Sequence, residues 1–185
     1  MILNNKDLKV LMGFTSDYHR RIYGRELSRK LKMNQKTVSN SLNRLEKEDF
    51  LKFETQGKNK YYFLNQHNTQ IKEVIKMAEI NKKLVFLGKY KPLKELINKI
   101  ENRATGILAL FGSYAGGSAH KESDIDLFLI GKISKVDDLE DSYNKKINIV
   151  KSTKTKFNKN ENFIKEVIKN HVILKGVEGF IELTW

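Results

Sequence analysis

An apolar run that breaks at a glycine-serine pair and, after a ten-residue spacer, resumes behind two closely spaced acids leaves a chain few ways to fold. The first run is Leu108-Ala109-Leu110-Phe111 and the pair is Gly112-Ser113. The second run is Ser123-Asp124-Ile125-Asp126-Leu127-Phe128-Leu129-Ile130. Side chains of a strand alternate between faces, so Asp124 and Asp126 point one way while Ile125 and Leu127 point into the core. Two carboxylates placed like this can share a hard divalent cation such as Mg²⁺. The Gly-Ser turn offers backbone N–H groups and a hydroxyl to a phosphate. The plain alternative is a surface strand with two solvated acids after a tight turn.

The Gly-Ser pair, the spacer length and the apolar flanks together resemble the nucleotidyltransferase domains of the DNA polymerase beta superfamily, and above all its minimal members. The resemblance implies a small mixed sheet with helices, an NTP, and Mg²⁺. It implies Gly112 and Ser113 as nucleotide-binding residues, and Asp124 and Asp126 as metal ligands and catalytic acids. The family places a third carboxylate on the next strand. The matching stretch here is Lys146-Ile147-Asn148-Ile149-Val150, which puts Asn148 at that position. A neutral amide cannot take a proton from an attacking hydroxyl and is a weaker cation ligand. Asp137, Asp138, Glu140 and Asp141 lie between the two strands and read as the exposed face of a short helix. Many small members also carry Arg where this chain has Gly116, so one triphosphate contact is missing.

The net charge of +13 on 185 residues calls for an anionic partner, with nucleic acid the usual candidate. The first 65 residues hold +7 of it, so the charge is densest there. A Lys-, Asn- and Ile-rich composition set by codon bias or solubility is the alternative source. The absence of cysteine excludes disulfides and thiolate metal sites. The four histidines form no pair at metal-ligand spacing. No apolar run reaches the roughly 20 residues of a membrane span and no signal-peptide pattern opens the chain, so a cytoplasmic protein without membrane contact is expected.

The charged N-terminal third reads as helix, helix, turn, helix, hairpin. Leu8, Val10, Leu11 and Phe14 mark a first helical face, and Tyr23 to Leu31 a second helix. Asn34 is a good N-cap for a third helix, Gln35 to Glu48, with Val38, Leu42 and Leu45 on one buried stripe. Two short strands follow, Leu51–Thr55 and Lys60–Leu64, around a tip at Gln56-Gly57-Lys58-Asn59. This order resembles the winged helix-turn-helix DNA-binding domain. It points to double-stranded DNA as partner, read by Gln35, Lys36, Thr37, Ser39, Asn40, Asn43 and Arg44 on the third helix, with Lys58 and Lys60 on the wing. A module for dimerisation or domain docking would show the same pattern.

From Asn68 a long amphipathic helix is expected, then a restart at Pro92 with Leu93, Leu96, Ile97 and Ile100 as its apolar face. It is a connector, a homodimer contact or a helix packed on its own chain. Beyond Asn148, residues 161–170 read as a helix, and His171–Gly176 and Gly179–Leu183 as two closing strands. The expected fold class is therefore α+β. A winged helix-turn-helix occupies 1–66, a helical linker 67–101 and a nucleotidyltransferase-like domain 102–185. The expected function is Mg²⁺-dependent transfer of a nucleoside monophosphate from an NTP to a hydroxyl, impaired at Asn148, by a protein that binds DNA. The alternatives are a non-catalytic transcriptional regulator that senses a nucleotide or oligomerises through this fold, or a toxin–antitoxin component with a protein partner.

Overall fold

The computed structural model describes residues 3–185, which divide into two compact units. One unit comprises the residues up to Asn81 together with Trp185, and the other Lys82–Thr184. Among the described residues no helix is long and apolar enough to cross a membrane.

The first unit opens with α1 (Asn5–Leu11), capped by Asn4, whose side chain accepts from the Lys6 and Asp7 amides while Asp7 accepts from the Asn4 amide. This reciprocal arrangement satisfies amides that the first turn leaves unpaired. A short 3-10 turn, Met12–Phe14, leads to β1 (Ile22–Tyr23), α2 (Gly24–Leu31) and α3 (Gln35–Lys47). Gly13 admits Leu27: a Cβ there would lie 2.1 Å from Leu27 Cδ1. Asn34 caps α3 by accepting from the Lys36 amide, and Val38, Leu42 and Leu45 are buried along one stripe. β2 (Leu51–Gln56) and β3 (Asn59–Leu64) form an antiparallel hairpin that turns at Gly57-Lys58. Gly57 holds φ +59°, a left-handed conformation that favours glycine.

The helix expected from Tyr23 starts one residue later. Ile22 and Tyr23 are instead a third strand, paired with Tyr62 and Tyr61, and the sheet order is β1-β3-β2. Two residues are too few for a period-2 signal, so only the pairing partner reveals this strand. The long helix, α4 (Ile71–Lys89), begins three residues after Asn68, and the division between the units falls within it.

In the second unit, Pro92 sits in a 3-10 turn ahead of α5 (Lys94–Arg103). β4 (Ala104–Phe111) runs into the five-residue α6 (Gly112–Gly116), followed by β5 (Ile125–Ile133), α7 (Asp137–Tyr143), β6 (Ile147–Ser152), α8 (Asn162–Lys169), β7 (Val172–Lys175) and α9 (Val177–Thr184). The sheet order is β6-β5-β4-β7, with β5 and β6 parallel and the other pairs antiparallel. Both faces are covered, which explains why β5 is apolar almost throughout. Ile125, Leu127 and Leu129 pack with Leu96, Ile97 and Ile100 of α5 on one face. Phe128 and Ile130 pack with Ile164, Val167 and Phe180 on the other.

The closing strand expected at Gly179–Leu183 is a correction: these residues lie in α9. Gly176 at φ +74° ends β7, and Phe180, Ile181 and Thr184 are then buried at helical spacing. A five-residue segment with three apolar residues fits either period, and here the turn at Gly176 decides it.

Candidate active site

The site is made where β4 ends, where β5 begins, and on the edge strand β6. β4 delivers Gly112 and Ser113 beyond Phe111, which pairs with Asp126 across the β4–β5 ladder. Asp124 immediately precedes β5 and Asp126 is its second residue, so alternation puts both acids on the same side. The parallel register pairs Asp126 with Asn148. The Asn148 amide Nδ2 donates to Asp126 Oδ1 at 3.0 Å and to Asp124 Oδ2 at 3.3 Å. One amide group reaching both acids shows that the carboxylates converge. All three side chains are half-buried, which leaves them reachable from solvent.

Glycine at 112 is a requirement of this convergence. Its φ is +68°, and a Cβ would lie 2.4 Å from Asp126 Oδ2. The turn backbone and the Asp126 carboxylate therefore share a space that a side chain enters only by displacing that carboxylate. Ser113 is half-buried, and its hydroxyl has no hydrogen-bond partner among the described residues. Its carbonyl accepts from the Ser118 and Ala119 amides, at 3.0 and 3.1 Å, and so ties the start of the spacer to the turn. Lys145 Nζ donates to the carbonyls of Lys121 and Ser123, which holds the other end of the spacer just before Asp124.

Two of the four acids of α7 are engaged elsewhere. Asp138 is held in a two-point ion pair by Arg103, whose guanidinium hydrogen-bonds and attracts it and so keeps its carboxyl below the usual carboxylate range. Glu140 Oε1 accepts from the Ile147 amide at 2.6 Å, at the start of β6. Among the described residues, no group of three or more Asp, Glu, His or Cys is placed to hold a metal ion. The candidate metal-ligating set is thus the two carboxylates, toward which Asn148 turns its Nδ2. That set still suits Mg²⁺, which is commonly held by one or two carboxylates and completed by waters and substrate phosphates.

Residues 93–182 match the family model described as the nucleotidyltransferase domain. The C-terminal part of this chain is thus similar to nucleotidyltransferase domains. No curated protein and no solved structure gave a match. The matched span includes α5 and contains every residue of the Gly112, Ser113, Asp124, Asp126 and Asn148 group.

In the first unit, Gln35, Lys36, Ser39, Asn40 and Asn43 are exposed on α3, and Thr37 is half-buried. Lys58 and Lys60 are exposed on the hairpin, with Lys60 Nζ 3.9 Å above the Phe53 ring. Gln35, Ser39, Lys58 and Lys60 line a common cleft together with Arg25 and Tyr61. The sequence pattern does not single out Arg25. Arg25 lies on α2, and only the fold brings it beside the hairpin. Asn43 accepts from the Tyr62 hydroxyl at 3.2 Å. Arg44 binds the fully buried Asp7 through its Nε and Nη2, while its side chain stays 41% exposed. That hydrogen-bonded pairing raises the guanidinium further above its ordinary range.

Proposed function

We propose that the C-terminal unit binds an NTP and transfers its nucleoside monophosphate to a hydroxyl acceptor, breaking the bond between the α- and β-phosphates and releasing pyrophosphate, at a rate limited by Asn148. The observation that carries this reading is the convergence of Asp124 and Asp126 on one amide beside Gly112. Gly112 and Ser113 contact the phosphate tail through backbone N–H groups and the unpartnered hydroxyl. Asp124 and Asp126 hold Mg²⁺, which offsets charge on the phosphates. Asn148 keeps both carboxylates oriented but has no lone pair basic enough to accept the acceptor's proton, so that proton must leave to solvent.

The test is a comparison of wild type, Asn148→Asp and Asp124→Asn/Asp126→Asn. An α-labelled NTP and Mg²⁺ serve as the assay, with nucleotide binding followed by calorimetry. Restoring the acid should raise label transfer by about 10²- to 10⁴-fold, the usual contribution of a positioned general base. The double amide variant should neither transfer nor bind Mg²⁺-nucleotide. If neither wild type nor Asn148→Asp labels an acceptor while nucleotide still binds, transfer is not the function.

Asn148 also favours a second reading, in which the same site senses a nucleotide without turning it over and the first unit binds duplex DNA. Three features support a winged-helix reading of that unit: the Asn34-capped α3, the hairpin with its basic tip, and the cleft shared by Gln35, Ser39, Lys58 and Lys60. Gln35, Lys36, Thr37, Ser39, Asn40 and Asn43 would then face the major groove, with Lys58 and Lys60 on phosphates. Double-stranded DNA, a nucleotide and a protein partner or second copy are the partners of this reading. Its mark is duplex binding that weakens steeply with salt. Lys36→Ala and Lys58→Ala should each lower the slope of log affinity against log salt by about one unit. Slopes equal to wild type in a mobility-shift series would remove both lysines from the interface.

A further inference from the structure

The Gly112–Gly117 turn of the nucleotide site proposed above carries no positive charge. A triphosphate entering that site meets the carboxylates of Asp124 and Asp126, and the turn reads Gly-Ser-Tyr-Ala-Gly-Gly. A cation reaches the turn from elsewhere. Lys89, in the last turn of α4 and ahead of the span that matches the family model, donates its Nζ to the Gly117 carbonyl at 3.1 Å. Its ammonium also lies 4.7 Å from the centre of the Tyr90 ring. Tyr90 in turn packs edge-on against Tyr114 of α6, with ring centres 5.1 Å apart. The aromatic pair holds the end of α4 against the turn, so the placement of Lys89 rests on packing as well as on one hydrogen bond.

The absence of side chains on the turn is part of this arrangement. Gly117 has φ +80°, and a Cβ there would come within 3.4 Å of Lys89 Nζ, whereas a Cβ at Gly116 would meet nothing within 4 Å. Lys89 is exposed, and among the described residues it has no carboxylate partner. An ammonium carries three N–H donors, and the Gly117 carbonyl takes one of them. Two further lysines lie at the spacer: Lys121, exposed within it, and Lys145, which is half-buried and whose Nζ already serves the carbonyls of Lys121 and Ser123. Two of the three Lys145 donors are thus taken, whereas Lys89 is exposed and keeps two for a ligand.

We propose that Lys89 binds the polyphosphate tail of the nucleotide, supplying from α4 the positive charge that the Gly112–Gly117 turn lacks. This rests on the nucleotide reading of the site. The interaction is a contact between an ammonium and a polyanion, so it distinguishes tri- from monophosphates and does not depend on the base.

The test is calorimetric titration of the full chain with ATP, GTP, CTP and UTP in Mg²⁺, and with AMP and inorganic tripolyphosphate. The variants are Lys89→Gln, Lys89→Ala and Lys89→Arg, with the exposed Lys132→Ala on β5 as a charge-matched control. Lys89→Gln keeps a donor for the Gly117 carbonyl and removes only the charge, and circular dichroism melting checks that each variant folds. Lys89→Gln and Lys89→Ala should weaken the triphosphate and tripolyphosphate by about tenfold, the scale of one charge-assisted hydrogen bond. AMP binding should change little, and Lys89→Arg and Lys132→Ala should stay near wild type. Unchanged triphosphate affinity in folded Lys89→Gln overturns the proposal, as does an equal loss in Lys132→Ala. If wild type binds none of the four NTPs, the nucleotide reading fails and takes this inference with it. If wild type binds and Lys89→Gln binds equally well, only the role of Lys89 fails.

Discussion

Gly112→Ala should leave the protein folded and take away its Mg²⁺-dependent nucleotide binding. The backbone at 112 has φ +68°, so any L side chain there costs on the order of 1–2 kcal/mol. The added Cβ would also fall 2.4 Å from Asp126 Oδ2. The group that must yield is the end of a side chain, so the stability loss stays near the backbone cost. That same side-chain end is one of the two proposed metal ligands. Its displacement pulls Asp126 away from the Asn148 amide and from Asp124, which undoes the convergence that defines the site. Binding of Mg²⁺-nucleotide should fall by at least about 10²-fold, comparable to the effects of small misplacements at catalytic groups. Thermal melting and calorimetry on the same sample separate the two effects. A variant that binds nucleotide like wild type would show that the Gly112–Asp126 contact has no part in the site.

Arg44→Ala should be far more damaging than Asp7→Ala, although each removes half of the same ion pair. Asp7 is fully buried, while the Arg44 side chain is 41% exposed. Three contacts join them, Nε to both carboxylate oxygens at 3.1 and 3.0 Å and Nη2 to Oδ1 at 2.6 Å. Removing the arginine strands a buried carboxylate with only the Asn4 amide left to it, which costs roughly 3–5 kcal/mol. Removing the aspartate frees an arginine that can turn to water. The loss is then the hydrogen bonds and the capping contact, about 1–2 kcal/mol. The double variant Asp7→Ala/Arg44→Ala should therefore be more stable than Arg44→Ala alone. Urea unfolding followed by circular dichroism reads all three, and equal costs for the two single variants would contradict the burial argument. Any loss of DNA binding in Arg44→Ala would then report unfolding of the first unit. For that reason Lys36 and Lys58 are the better probes of an interface.

Much of the second unit was legible because its signals are local. Alternation in the run from Asp124 to Ile130 already placed both acids on one face, and glycine before serine already marked the turn. Asn34 as a cap and Val38, Leu42 and Leu45 as a stripe were legible for the same reason, since each depends on neighbours within one or two helical turns. The misread segments are short and ambiguous. Ile22–Tyr23 is a strand only because Tyr61 and Tyr62 lie beside it. Residues 179–183 are helical because the chain turns at Gly176 and then buries Phe180 and Ile181. Arg44 had the composition of a DNA-reading residue and sat off the apolar stripe, yet its partner is Asp7, 37 residues away in sequence.

By itself the sequence determined that two carboxylates share a face near a flexible turn, that the third family position is an amide, and that the N-terminal third is basic and mostly helical. These properties follow from residue identity and from the periods of strand and helix, which act over a few residues. Only the tertiary structure decided that the Asn148 amide spans both acids, that Gly112 must lack a side chain because Asp126 occupies its space, and that Lys89 stands at the Gly117 carbonyl. Each of those depends on strand register or on the docking of one element against another. Both are set by burial of apolar faces across long stretches of chain, and no local pattern encodes the angstrom-scale distances that result.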